Sequence, residues 1–319
     1  FRNYIKYSGV DMNRNKLKKL FVGPFGAVPT PFDEKYEIDL GALNAMIQRM
    51  IDGGVSNENG VIKIAAGLGE GPMLDESEWA ALLGTAVQAT QGKAPVLLGI
   101  HHKDTKRTIA DAKRASDLGA IGLQISPPVF NSPTQQDIYE YYYEVSNKID
   151  LGIMIYNTRW MTWGKIDSDT IVKMIDIENI IAVKWPGDPN YDDMLKFKDS
   201  FNVIDNSTNP VRCFKNGGHG YVQTILDSNP KHDMKVWGLL KAGKFDEAEV
   251  LYHSVYDDIV EMETKVSQRT GGQSTVHKGL SKILGYPIGD PRPPSDPMSE
   301  NEMDELRKSV KSWGWTVVN

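Results

Sequence analysis

The chain has 319 residues, 40% of them hydrophobic and 24% charged, with a formal net charge of −6 at neutral pH. That length supports one large core, and the acidic balance without a basic stripe excludes nucleic acid and anionic membrane surfaces as natural partners. A single cysteine, Cys213, excludes an intrachain disulfide framework and fits a reducing, cytoplasmic compartment, and no apolar run is long enough to span a bilayer.

Residues 1–20 read as an N-terminal tail. From Phe25 onward, short apolar runs alternate with longer amphipathic ones. Phe25-Gly-Ala-Val-Pro29 is a first strand, and residues 39–52 carry apolar positions at helical spacing (Leu40, Leu43, Met46, Ile47, Met50 and Ile51). Val61-Ile-Lys-Ile-Ala-Ala66 is a second strand that runs into Gly67-Leu68-Gly69-Glu70-Gly71. The next helix opens at Asp75, with Glu78 at capping-box spacing. Residues 95–99 form a third strand, followed by His101-His102 and a helix over 105–118. Residues 121–125 form a fourth, ending at Pro127-Pro128, and residues 151–155 a fifth, ending at Tyr156-Asn157.

The sixth strand is Ile180-Ile-Ala-Val-Lys184, closed by Trp185-Pro186-Gly187, and residues 201–204 and 218–223 supply a seventh and an eighth. Eight strand-to-helix units at spacings of roughly 20 to 40 residues predict a parallel sheet, and their number predicts a closed (β/α)₈ barrel over 21–242 rather than an open doubly wound sheet. Beyond it, residues 235–241, 245–267 and 274–284 read as helices with no strand between them, so 243–319 form a C-terminal helical subdomain. Its last helix starts at Ser299, again with a capping-box Glu302.

Lys184 needs a physical explanation. An ammonium at the end of a strand buried on both faces costs several kcal/mol unless it is paired or gives up its proton. The residue is therefore either salt-bridged or a neutral, nucleophilic amine. Tyr156 ends the preceding strand, and two residues at the carboxyl ends of neighbouring barrel strands share one mouth. His101, His102 and His219 are placed to face that mouth as acid/base groups. Together with Glu70 and Asp205 they also permit a metal-dependent lyase reading, although no pair has a tight ligand spacing.

The ordered set of Val28-Pro-Thr-Pro-Phe32, Gly69-Glu70 with Leu74 and Glu78, Pro128-x-Phe-Asn-x-Pro133-Thr134, Tyr156-Asn157, Lys184, and Lys278 with Leu284-Gly285 and Arg292-Pro-Pro294 resembles the dihydrodipicolinate synthase and N-acetylneuraminate lyase family. The resemblance runs from about Phe25 to Trp315. It implies a class I aldolase in which Lys184 forms a Schiff base with a 2-oxo acid such as pyruvate, Tyr156 shuttles protons, and no cofactor or metal takes part. It also implies a homo-oligomer, a tetramer or dimer.

The departures from the family pattern bear on substrate. The Gly-Thr-Thr-Gly-Glu loop that holds the pyruvate carboxylate reads here Ala66-Gly67-Leu68-Gly69-Glu70, so both hydroxyls are gone, and only the Gly67 and Leu68 amides remain to form a carboxylate nest. Phe130 stands where a neighbouring subunit lends a tyrosine. Arg159 lies near the expected arginine position, inside a rewritten stretch with Trp160 and Trp163. With Trp185, these tryptophans suggest a bulkier or less polar substrate. The expectation is a Schiff-base lyase, aldolase or hydro-lyase on a 2-oxo acid or deoxy sugar acid, distinct from dihydrodipicolinate synthase proper. Its substrate contacts are expected at Gly67, Leu68, Asn157, Arg159, Trp163, His101, His219 and Phe130. Glu70 is expected to hold the loop. A non-catalytic 2-oxo-acid-binding homologue is the remaining alternative.

Overall fold

The computed structural model describes residues 13–101, 103–158, 164–187 and 189–318. Eight parallel strands close into a barrel in chain order. They are β1 (Gly23–Ala27), β2 (Val61–Ile64), β3 (Val96–Ile100), β4 (Gly122–Ile125), β5 (Gly152–Tyr156), β6 (Ile180–Trp185), β7 (Asn202–Asp205) and β8 (Gly220–Gln223). The predicted barrel and its helical appendix are both present. The strands are buried almost throughout because one face meets the barrel interior and the other meets the helices, which is why they read as continuous apolar runs rather than alternating ones.

Helices α2 (Leu40–Asp52), α3 (Glu76–Thr90), α4 (Thr105–Asp117), α5 (Gln135–Ser146), α6 (Ser168–Lys173), α7 (Pro210–Lys215) and α8 (Pro230–Lys241) follow β1 to β5, β7 and β8, while a 3₁₀ turn (Tyr191–Lys196) follows β6. The capping box predicted for α3 is formed. Asp75 accepts from the Ser77 and Glu78 amides, and Glu78 reaches back to the Asp75 amide at 2.9 Å. Helix α8 begins at Pro230, five residues before the expected 235, because a proline in the first turn has its φ preset and no amide hydrogen to satisfy.

Part of the expected tail is structural: Arg14–Leu20 is a helix, α1. Asn202 of β7 donates to the Lys18 and Phe21 carbonyls at 2.7 and 2.8 Å, and the Phe21 ring enters the barrel floor. Gly122 and Gly152 make room for it, since a Cβ on either would lie 2.5 or 3.1 Å from the ring tip. With the amino-terminal end of the barrel filled by Phe21, the open end is the carboxyl-terminal one.

The C-terminal helices α9 (Phe245–Ser267), α10 (Ser274–Ile283) and α11 (Glu300–Ser312) enclose a core of their own around Ile259, Leu280 and Leu306. The amino-terminal half of α9 packs Ala248, Tyr252 and Tyr256 against Tyr221 and Trp237 of the barrel, so the appendix is continuous with the barrel wall. Among the described residues, no helix is long and apolar enough to cross a membrane.

Candidate active site

The closed sheet fixes which side chains meet inside it. Lys63 on β2 is opposite Leu97 on β3, which is opposite Gly122 on β4, and two residues further along β4 lies Gln124. The same step runs from Gln124 through Met154 and Ala182 to Lys184, from Lys184 through Ile204 and Gly220 to Val222, and from Val222 through Phe25 and Val61 back to Lys63. Lys63, Gln124, Lys184 and Val222 are therefore one interior layer drawn from the even-numbered strands. By the same counting, Ala27, Gly99 and Tyr156 of the odd-numbered strands, with Asn206 just past the end of β7, form the next layer toward the mouth.

Lys184 and Tyr156 are direct register partners on β6 and β5, and the Lys184 ammonium lies 4.3 Å from the centre of the Tyr156 ring. Both residues are buried. Burial lowers the Lys184 pKa from 10.5 to about 7, because the enclosed ammonium loses its hydration. That drop corresponds to about 5 kcal/mol. The favourable contact of the cation with the phenol face, of order 0.5–2 kcal/mol, is too small to reverse it. Burial with no ion pair among the described residues leaves the Lys184 amine only partly protonated near neutrality.

The loop after β2 closes one side of the mouth. Ala65 takes a left-handed conformation (φ 53°), which turns the chain inward over Gly99, where a Cβ would come within 2.6 Å of the Ala65 carbonyl oxygen. Gly67 faces the Tyr156 hydroxyl, 3.9 Å from where a Cβ would stand, and the Gln273 amide oxygen reaches the same point at 3.1 Å. Leu68 turns into a small apolar cluster with Ala27 and Ala66. Glu70 holds the loop to the C-terminal subdomain, accepting from the Ser274 hydroxyl and lying 3.4 Å from the Lys278 ammonium. Lys278 also donates to the Asp290 carbonyl at 3.0 Å.

Several expected contacts are placed differently. His219 precedes β8, and its carbonyl accepts from the Gly23 amide, so it stands at the amino-terminal end, among Lys18, Lys198 and Asp199, and cannot face the mouth. The Asn157 side chain binds the Ile166 backbone, donating at 2.9 Å and accepting at 3.4 Å, a hold on the following loop rather than on a ligand. Trp185, next to Lys184, must point to the other face of the sheet; its indole donates to the Tyr191 carbonyl and packs on Phe197 beneath the 3₁₀ turn. His101 is at the mouth, with its ring edge-on to Tyr156 at 5.1 Å between centres. It shares with Trp79, Lys103 and the 86%-exposed Phe130 the lining of a side cavity of about 380 Å³. Arg159, Trp160, Trp163 and His102 lie outside the described residues.

Three of the five donors named for the metal-dependent reading are engaged elsewhere or at the opposite end of the barrel. His219 is at the wrong end, Glu70 is ion-paired, and Asp205 is engaged in the turn before α7, accepting from the Tyr191 and Ser207 hydroxyls and the Asn209 backbone amide. Among the described residues, no group of three or more His, Cys, Asp or Glu side chains is placed to hold a metal ion. The sequence reading missed Gln273, Asn206 and Lys63. Gln273 had no local signal, whereas Lys63 had the same one as Lys184, a lysine inside an apolar strand.

The model of the dihydrodipicolinate synthetase family matches residues 20–313. The chain belongs to this family. A relative named 4-hydroxy-tetrahydrodipicolinate synthase from Methanococcus maripaludis strain C5 is 27% identical over 298 residues, covering 92% of this chain and 98% of that one. One from Thermotoga petrophila is 25% identical over 306 residues, covering 92% and 99%. Among solved structures, dihydrodipicolinate synthase from Aquifex aeolicus superposes with a TM-score of 0.82 at 25% identity, covering 94% of this chain and all of that one. The enzyme of the same name from Agrobacterium tumefaciens gives 0.83 at 22%, covering 93% and 99%, a likeness of fold. As a dihydrodipicolinate synthetase family member, the chain is a lyase-fold barrel whose departures at Leu68 and Phe130 lie on and beside the loop that borders Tyr156.

Proposed function

We propose that this protein is a lysine Schiff-base lyase acting on a 2-oxo acid, either as an aldolase or as a hydro-lyase on a deoxy sugar acid. The observation that carries the reading is the buried Lys184 amine, held at about 7 beside its register partner Tyr156 at the open end of the barrel. At neutral pH about half of such an amine is uncharged and can attack the 2-oxo carbon. The resulting carbinolamine loses hydroxide, which leaves as water after taking a proton, and the product is an iminium on Lys184. That cation is an electron sink. Loss of a C3 proton gives the enamine, which either adds to an aldehyde or expels a 4-hydroxyl as water. In the reverse direction, removing the 4-hydroxyl proton breaks C3–C4. Tyr156 is assigned the proton transfers because its ring contacts Lys184 and its hydroxyl faces the Gly67 loop.

Dihydrodipicolinate synthesis is not the activity proposed. Gly67, Leu68 and Phe130 supply no hydroxyl to a relay through the loop, and the amide of Gln273 is the polar group that reaches that point. The proposed assembly is a homo-oligomer, a tetramer or dimer, in the cytoplasm. The test is deuterium exchange at C3 of pyruvate, or of another small 2-oxo acid, followed by proton NMR in D₂O. The enzyme should accelerate exchange and Lys184→Ala should abolish it, whereas exchange that survives Lys184→Ala would defeat the reading.

A further inference from the structure

Lys63 has no place in the chemistry described so far, yet it sits in the same interior layer as Lys184. Strands β2 and β6 are diametrically opposed in an eight-strand barrel, and each lysine is the penultimate residue of its strand, so the two side chains extend toward the axis from opposite walls. Lys63 is 1% exposed, and its ammonium donates to the Gln124 side-chain oxygen at 3.4 Å. The residues facing it are Ala27 from β1, Leu97 and Gly99 from β3, and Gln124 from β4, none of them charged. Tyr156 and Lys184 are the titratable groups beyond, and no carboxylate among the described residues pairs with it.

A buried lysine with an amide and no anion is costly, and replacing such a group with an apolar side chain of similar shape usually stabilises a protein. Burial holds the Lys63 pKa well below the usual lysine range, and Lys184 across the layer pushes it further down. Two ammonium groups facing each other across one layer repel, so a proton on either disfavours a proton on the other. What is missing from the layer is a negative charge. The substrate of the proposed reaction carries one, and the loop after β2, which lies against Gly99, carries at Gly67 and Leu68 none of the hydroxyls that the family pattern leads one to expect there.

We propose that Lys63 is the carboxylate-recognising residue of this enzyme, pairing as an ammonium with the 2-oxo acid that Lys184 attacks. The inference rests on the Schiff-base reading above. The carboxylate supplies the charge that allows Lys63 to keep a proton, and a charged Lys63 in turn disfavours a proton on Lys184, which leaves the attacking amine neutral. Lys63 therefore acts as a positioning and specificity residue for the substrate carboxylate.

The experiment compares pyruvate with its uncharged methyl ester. Each is titrated against the full-length protein with cyanoborohydride, and the labelling of Lys184 is read by peptide mass. In the wild type, pyruvate should reach half-labelling at a much lower concentration than the ester. Lys63→Met, and Lys63→Gln with its hydrogen-bonding but uncharged head, should shrink that preference by about 10- to 100-fold, the range of one charge-assisted hydrogen bond, chiefly by weakening pyruvate. The melting temperature of Lys63→Met should be unchanged or higher. An unaltered preference in the folded variants, a label on Lys63 itself, or loss of folding in both variants would overturn the proposal, the last by making Lys63 a structural residue. Absence of any label in the wild type would instead defeat the Schiff-base reading on which it rests.

Discussion

The depressed pKa of Lys184 has a direct kinetic expression. An ordinary lysine with a pKa of 10.5 is neutral in about 3 molecules per 10⁴ at pH 7, whereas one held at about 7 is neutral in about half, a gain of roughly 10³-fold in attacking amine. The initial rate of cyanoborohydride trapping at subsaturating 2-oxo acid should therefore rise tenfold per pH unit from pH 5 to about 7 and then level off. Stability carries the same information with a defined sign. The unfolded lysine binds its proton up to about 10.5 and the folded one only up to about 7, so between these values the unfolded state binds more protons and stability rises with pH. Lys184→Met removes that penalty. In denaturant titrations the variant should exceed the wild type by up to about 5 kcal/mol below pH 7, with the difference vanishing above pH 10.5. A trapping rate that still climbs at pH 9, or a variant no more stable than wild type at pH 6, would refute the reasoning.

Tyr156→Phe should cost about 10²–10⁴ in turnover on the true substrate while Lys184 is still labelled, since general acid/base help is of that size and iminium formation has other proton sources; near-normal turnover would remove Tyr156 from its role. Glu70→Ala strands the buried Lys278 ammonium and should destabilise the protein by about 3–5 kcal/mol in urea melts, most of it recovered when Lys278→Met is added. Trp185→Ala should cost about 3–5 kcal/mol of stability yet leave the KM unchanged, because the indole packs outside the barrel; a large rise in KM in the folded variant would place it at the mouth after all.

The barrel was legible because its determinants are local. Apolar runs closed by Pro or Gly mark the strands, and the capping boxes at Asp75 and Ser299 both form as their spacing predicts. Lys184 stood out for the same reason, as a charge ending such a run. His219 was misplaced by overlooking strand direction, since it precedes β8 (Gly220–Gln223), and the starts of parallel barrel strands lie at the end opposite the mouth. Trp185 was misjudged by overlooking parity, since a residue adjacent to an inward lysine faces outward. The Glu70–Lys278 pair and the approach of Gln273 to Gly67 join segments about 200 residues apart, and only the docking of α10 beside the β2 loop brings them together. Lys63 was readable but hidden by context, for inside Val-Ile-Lys-Ile it looks like one polar position of an ordinary strand until the register sets it opposite Lys184.

The most direct test of the central claim is covalent: reduce the protein with cyanoborohydride in the presence of pyruvate or another small 2-oxo acid, digest it, and locate the added mass. The reduced acid should be found on Lys184 alone, with no label in Lys184→Ala. A label on another lysine, or turnover that is abolished by EDTA and restored by a divalent ion while Lys184 stays unmodified, would contradict it.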